Sequence, residues 1–253
     1  MKFQQIRSAT AIVEFGGVRI LVDPWLAPKE TLPPIPGSPN PDLRCPIHDL
    51  PASVEEILNG IDAVLATHLH FDHFDQTAID AIPKETPILA QDEKDAATLR
   101  GYGFRRVIPL KYGGIDFRGI ELFKTGCHHG IPGVVEKLYE AIEMRGQACG
   151  VVFRSQKEDK TLYLAGDTIW CDYVENAIRL HKPDAIVVNA ACASIKECGR
   201  IIMGLEDIRA VLNATPDAIV VASHMDEVGH STLWRKDIRK FVRDNALEAR
   251  LLI

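Results

Sequence analysis

The chain has 253 residues, 46% hydrophobic and 25% charged, which is enough to bury a substantial core in one globular unit. Its formal net charge of -6 lacks the basic excess of a nucleic-acid binder and points to a small-molecule partner. No run of about 18 apolar residues offers a membrane span, and the N-terminus shows no secretory h-region.

The opening reads as a strand meander: Ala11 to Phe15 and Val18 to Val22 flank Gly16-Gly17, a hairpin turn signal. Nine prolines then fall between Pro24 and Pro51, a composition that defeats helix and central strand. Residues 27–51 are expected to form a Pro-rich loop or flap over a site, with Trp25 and Trp170 as further walls. Ser53 to Asn59 predicts a helix, because Ser53 and Glu56 have capping-box spacing. Ile61 to Ala66 follows as a short apolar strand, which delivers Thr67-His68-Leu69-His70-Phe71-Asp72-His73 at its C-terminal end.

Alternation continues with strands at 88–90, 106–109 and 120–123 and a helix at 93–101. The second half predicts strands at 150–154, 161–165, 185–189 and 218–223, and helices at 172–181, 206–214 and 233–246. Strands and helices interleave without a linker, so 1–253 reads as a single α/β domain of two similar halves. The six cysteines, Cys45, Cys127, Cys149, Cys171, Cys192 and Cys198, include no C-x-x-C pair and are expected as reduced thiols in a cytoplasm.

His68, His70, Asp72 and His73 put three imidazoles and a carboxylate within six residues, and one tight turn can aim all four at one point. Those donor types suit zinc and its first-row neighbours.

This segment resembles the H-x-H-x-D-H signature of the metallo-beta-lactamase-fold hydrolases. The resemblance implies a four-layer αββα sandwich, two mixed sheets with helices on the outer faces. It also implies three later ligands in fixed order, each after a strand. For the first, Thr125-Gly126-Cys127-His128-His129-Gly130 offers two histidines. Similarity to a Thr-x-x-x-His-Gly pattern favours His129 and leaves His128 as a neighbour or substrate contact. Asp167, after Leu162 to Ala165, matches the bridging carboxylate, and His224, after Ile219 to Ser223, matches the last histidine.

Two further positions resemble the branch containing the ascorbate-6-phosphate lactonase and the N-acyl phosphatidylethanolamine phospholipase D. Asp23 would orient a ligating histidine through its other ring nitrogen, and His230 would act as proton donor or phosphate contact. By resemblance, His68, His70 and His129 would hold one divalent ion, and Asp72, His73 and His224 another, with Asp167 between them. Zinc is the first expectation, manganese or iron the alternatives. Two such ions, about 3.5 to 4 Å apart, would supply a hydroxide able to attack an ester, a phosphodiester or lactone, and Asp72 would orient it.

Four relatives of the motif fit less well. The di-iron redox branch resembles H-x-E-x-D, with glutamate where this chain has His70. RNA nucleases carry an insertion, whereas 56 residues of ordinary pattern separate Asp167 from His224. Secreted beta-lactamases commonly use a cysteine at the position that resembles Asp167. Thioesterases of the glyoxalase II type add a helical C-terminal domain, and 29 residues follow His224. A non-catalytic metal-binding module is the remaining alternative.

Overall fold

The computed structural model describes residues 1–253. Its N-terminal strands, β1 (Lys2–Arg7), β2 (Thr10–Phe15) and β3 (Val18–Val22), form an antiparallel meander. Gly16 and Gly17 close the β2–β3 hairpin with φ of 56° and 82°, the left-handed pair that a two-residue turn requires. Three parallel strands extend this sheet from β3: β4 (Ala63–Ala66), β5 (Ile88–Ala90) and β6 (Val107–Pro109).

The second sheet repeats the plan. Strands β7 (Ile115–Phe117), β8 (Ile120–Thr125), β9 (Gly150–Arg154) and β10 (Leu162–Leu164) run antiparallel. Parallel strands β11 (Ala185–Asn189), β14 (Ile219–Ser223) and β15 (Leu251–Leu252) continue it. A separate two-stranded ribbon joins β12 (Ser194–Ile195) to β13 (Gly199–Arg200).

Apolar contacts divide the molecule into four layers. Phe15, Ile20 and Leu65 of the first sheet meet Leu122, Val151 and Phe153 of the second in the middle. Helices α1 (Val54–Leu58), α2 (Gln76–Ala81) and α3 (Glu93–Gly101) bury Ile57, Ala78 and Leu99 against the outer face of the first sheet. The opposite outer face is covered by α4 (Glu136–Ala141), α5 (Asp172–His181), α6 (Leu205–Ala214) and α7 (Arg235–Asp244), through Tyr139, Val174, Ile208 and Ile238. The αββα sandwich and its mixed sheets follow.

Departures from the expected elements are local. The capping box at Ser53 and Glu56 is present. The helix expected over 233–246 runs only from Arg235 to Asp244, because Trp234 is extended and its N–H donates to Asp237. Two six-residue helices, α2 and α4, were not anticipated, since neither spans two full turns of apolar periodicity. Strand β8 reaches two residues farther than its apolar run, through Lys124 and Thr125, whose partners are Val151 and Gly150. Residues 24–53 contain no helix or strand, only a bridge between Leu32 and Cys45.

That segment is nonetheless pinned. The Asn40 side chain donates to the carbonyls of Gly229 and Ser231, at 2.8 and 2.9 Å. Buried Glu227 accepts from the His48 main-chain N–H at 3.0 Å. Arg7, itself buried, donates to the carbonyls of Trp25, Ala27 and His48.

The centre of the sandwich is marked by Phe153, fully buried and edge-on to Phe15 with centroids 5.8 Å apart. Phe153→Ala is expected to lower unfolding free energy by about 3–5 kcal/mol in urea denaturation. A loss below about 1 kcal/mol would mean that the interlayer contact contributes little.

Candidate metal centre

The three histidines and the aspartate of the motif after β4 enter one buried cluster. Strand β4 stops at Ala66, and Thr67 turns the chain out of the sheet. Asp23, at the end of β3, secures that exit: its carboxylate accepts from Thr67 N–H and Thr67 Oγ1, each at 2.8 Å. The same carboxylate lies 3.0 Å from His73 Nδ1. Asp23 adopts φ 45°, a left-handed conformation that costs a non-glycine residue about 1–3 kcal/mol and that these three contacts maintain.

Loops after three strands of the second sheet complete the cluster. His129 follows β8, Asp167 follows β10 and His224 follows β14. The turn into Asp167 needs Gly166, which has φ 70°; a Cβ there would lie 2.3 Å from the carbonyl oxygen of Cys149. His224, also left-handed at φ 63°, is held by Ser8, whose carbonyl accepts from its N–H and whose hydroxyl lies 3.2 Å from Nδ1.

At the centre lies a single oxygen. Asp167 Oδ2 is 3.3 Å from His73 Nε2, 3.6 Å from His129 Nε2, 3.8 Å from His224 Nε2 and 3.9 Å from His68 Nε2. Its partner Oδ1 accepts from Asn189 Nδ2 at 2.6 Å. Asp72 Oδ2 approaches His224 Nε2 at 3.4 Å. The donor atoms fall into three overlapping groups: His68, His70 and His129; His68, His73 and Asp167; Asp72, His73 and His224.

The donor chemistry fits metal ions. His70 Nδ1 faces His129 Nε2 at 3.3 Å, and His73 Nε2 faces His224 Nε2 at 3.0 Å. Ring nitrogens so close must share a proton or a cation. Two nitrogens each about 2.0–2.1 Å from one tetrahedral zinc ion would stand about 3.3 Å apart. His68 Nε2 is buried without any hydrogen-bond partner in the protein.

The far sides of these rings are occupied. His129 Nδ1 lies 2.9 Å from the Ile201 carbonyl, His70 Nε2 2.6 Å from the Arg145 carbonyl, and His68 Nδ1 3.1 Å from Thr67 Oγ1. Such contacts fix the tautomer and aim the other nitrogen inward.

Electrostatics divide the histidines. Burial, with His73 and His70 close by, holds His68 well below the ordinary imidazole range. Burial also lowers His129 and brings His70 to about 4. Burial alone would depress His73 and His224 as well, yet neighbouring carboxylates, Asp167 foremost, raise both. Burial pushes Asp72 and Asp167 up, but the surrounding histidines hold both below the usual carboxylate range. Neutral His68, His70 and His129 beside ionised Asp72 and Asp167 are in the protonation states that metal binding needs, whereas His73 and His224 would give up a proton to a bound ion.

His128 stands apart from this cluster. It packs edge-on against Tyr173 and lines an adjoining cavity of about 620 Å³ together with His129, Tyr139 and Arg145. His230 is buried with Nδ1 unpartnered, and burial lowers it to about 4. Trp25 lies under the Pro-rich segment with Cys45 and Val228, edge-on to Phe71. Sequence reasoning missed Asn189, Ser8, Ile201 and Arg145. Asn189 ends an apolar strand, the same signal that marks Asp167 and His224. Ile201 and Arg145 contribute main-chain oxygens and carry no such mark.

Known proteins resemble the whole chain. A family model described as "Beta-lactamase superfamily domain" matches residues 18–225. The UPF0173 protein YddR of Bacillus subtilis (strain 168) is 39% identical over all of this chain and 96% of its own length. The crystal structure of an isothiocyanate hydrolase from Delia radicum gut bacteria is 39% identical, with a TM-score of 0.93, covering 100% of this chain and 96% of that one. A possible metal-dependent hydrolase from Veillonella parvula DSM 2008 is 37% identical, with a TM-score of 0.94 and coverage of 99% and 95%.

If metal ions hold these donors together, chelation should destabilise the fold. Ligand present at 100 times its dissociation constant contributes about 2.7 kcal/mol, which at this chain length corresponds to about 5–10 °C. EDTA is therefore expected to lower Tm by that amount in a thermal melt; an unchanged Tm would show that the cluster is stable without metal.

Proposed function

We propose, for a chain that belongs to the beta-lactamase superfamily, within its UPF0173 group of metal-dependent hydrolases, that two divalent ions serve the hydrolysis of a small uncharged electrophile. The observation that carries this reading is Asp167 Oδ2, central to four imidazoles, with Asp72 against the last of them. His68, His70 and His129 would hold one ion, Asp72, His73 and His224 the other, and Asp167 would join them. When bound, the ions would make water acidic enough to attack near neutral pH and would polarise the attacked group, zinc being favoured by the nitrogen-rich donors.

The protein's own groups do the rest. Asp72 has a second carboxylate oxygen with which to orient the attacking water. Asp23 holds the ring of His73, and Asn189 holds Asp167, so the donors need not reorganise during the reaction. His230, neutral at pH 7 because burial depresses it, is suited to exchange a proton with the atom that leaves the attacked carbon. His128, outside the cluster, is a substrate contact from the adjoining cavity.

For the substrate, isothiocyanates are the leading class, because a protein with that activity resembles this chain at 39% identity over its full length. Water would add its oxygen to the central carbon of R–N=C=S and one of its protons to the nitrogen; transfer of the second proton to the nitrogen with cleavage of the carbon–nitrogen bond would give an amine and carbonyl sulfide. Such a substrate would enter through the cavity that adjoins the donors, where Val135, Tyr139 and Met144 line it together with His128. A lactone, the uncharged ester, is the second reading.

Protein purified without added metal is expected to contain two divalent ions per chain by elemental analysis. Supplied with metal, it should turn over isothiocyanates faster than lactones or phosphodiesters; inactivity on all three classes would overturn the enzymatic reading. Asp72→Asn should reduce kcat by about 100-fold or more while metal content falls far less. Full activity in that variant would remove Asp72 from the mechanism.

A further inference from the structure

The loop after α4 supplies no donor to the cluster, yet it makes one of the closest contacts to a histidine of the motif. His70 Nε2 donates to the main-chain carbonyl of Arg145 at 2.6 Å. With its proton on Nε2, His70 keeps a lone pair on Nδ1, the atom that faces His129 at 3.3 Å. The position of one loop carbonyl therefore decides which nitrogen of His70 is available to a cation.

A loop carbonyl needs an anchor to stay in place, and here the anchor is the side chain of the same residue. The Arg145 guanidinium forks onto Asp92, donating from Nη1 to Oδ1 at 3.1 Å and from Nη2 to Oδ2 at 2.7 Å. Nη1 also reaches the buried carboxylate of Asp95. Asp92 is the N-cap of α3 and Asp95 lies in its first turn, so the fork grips a fixed element. Two residues on, the Gln147 carbonyl accepts from Gln91 Nε2 at 2.8 Å. Gly146 lies between these anchors, where a Cβ would come within 2.3 Å of the Tyr139 ring. That ring packs 5.5 Å from both His70 and His129, so the clamped tripeptide and Tyr139 together back the two histidines.

We infer that Arg145 is a positioning residue for His70. Its guanidinium, clamped on Asp92 and Asp95, sets its own carbonyl, and that carbonyl fixes His70 with Nδ1 toward the metal centre. Gln91 steadies the other end of the same tripeptide. The inference rests on the metal-centre reading proposed above. A lysine could meet Asp92 but could not reproduce the fork, so charge alone does not replace Arg145.

The test compares wild type, Arg145→Ala, Arg145→Lys and Asp92→Asn, with Glu93→Gln on the exposed face of α3 as control. Zinc affinity is measured by competition with a chromophoric chelator, and the His70 tautomer is read from side-chain nitrogen shifts of metal-free protein. Wild type and Glu93→Gln are expected to bind two zinc ions and to show Nε2–H. Arg145→Ala should fold with a wild-type circular dichroism spectrum, bind one of the two ions about 10–100-fold more weakly and lose the single tautomer. Arg145→Lys should fall between the two. Wild-type affinity for both ions together with an unchanged tautomer in Arg145→Ala overturns the inference. Should wild type bind no zinc, the metal-centre reading fails by itself, and the tautomer comparison still decides whether Arg145 orients His70. If Arg145→Ala does not fold, Asp92→Asn carries the same comparison, since it weakens the fork from the other side.

Discussion

One carboxylate oxygen organises this molecule. Asp167 Oδ2 lies within 3.9 Å of four imidazole nitrogens that come from three loops. A buried carboxylate with no partners would take up a proton, and four clustered histidines would expel theirs. Placed together, each stabilises the other's useful state. The left-handed turns at Asp23 and His224 and the cramped glycine at 166 serve this arrangement, since each bends the chain where a donor must turn inward. Local backbone cost is accepted at positions where neighbouring hydrogen bonds can hold it.

Legibility in the sequence followed distance along the chain. His68, His70, Asp72 and His73 could be recognised because their spacing is local. Asp167 and His224 needed the further cue of a polar residue ending an apolar strand. Similarity to the Thr-x-x-x-His-Gly spacing favoured His129 over His128; in the fold they point different ways, His129 into the cluster and His128 against Tyr173. An α/β domain was legible from alternating strands and helices, and its four-layer form only from the resemblance of the His68–His73 motif; the short helices α2 and α4 were not legible, because six residues carry too little periodicity. Arg145 and Ile201 lay beyond sequence reasoning altogether, since a main-chain oxygen is the same in every residue type.

The Pro-rich segment shows how composition and structure divide the description. Nine prolines exclude regular structure, and residues 24–53 have none. Composition does not say where such a segment goes. Asn40 and His48 tie it to the loop from Glu227 to Ser231, which also carries His230. Two irregular stretches, distant in sequence, thus share one buried apolar cluster beside Phe71.

The donors belong to both layers of the sandwich. His68 to His73 leave the first sheet after β4, while His129, Asp167 and His224 leave the second after β8, β10 and β14. An ion bound among them would act as a rivet between the sheets: neither layer could slide or open without breaking coordination on one side. Exchange of the amide protons at the facing ends of β4 and β10 would then be linked to release of the ion. Hydration of the interlayer core and demetallation would be one event seen from two ends.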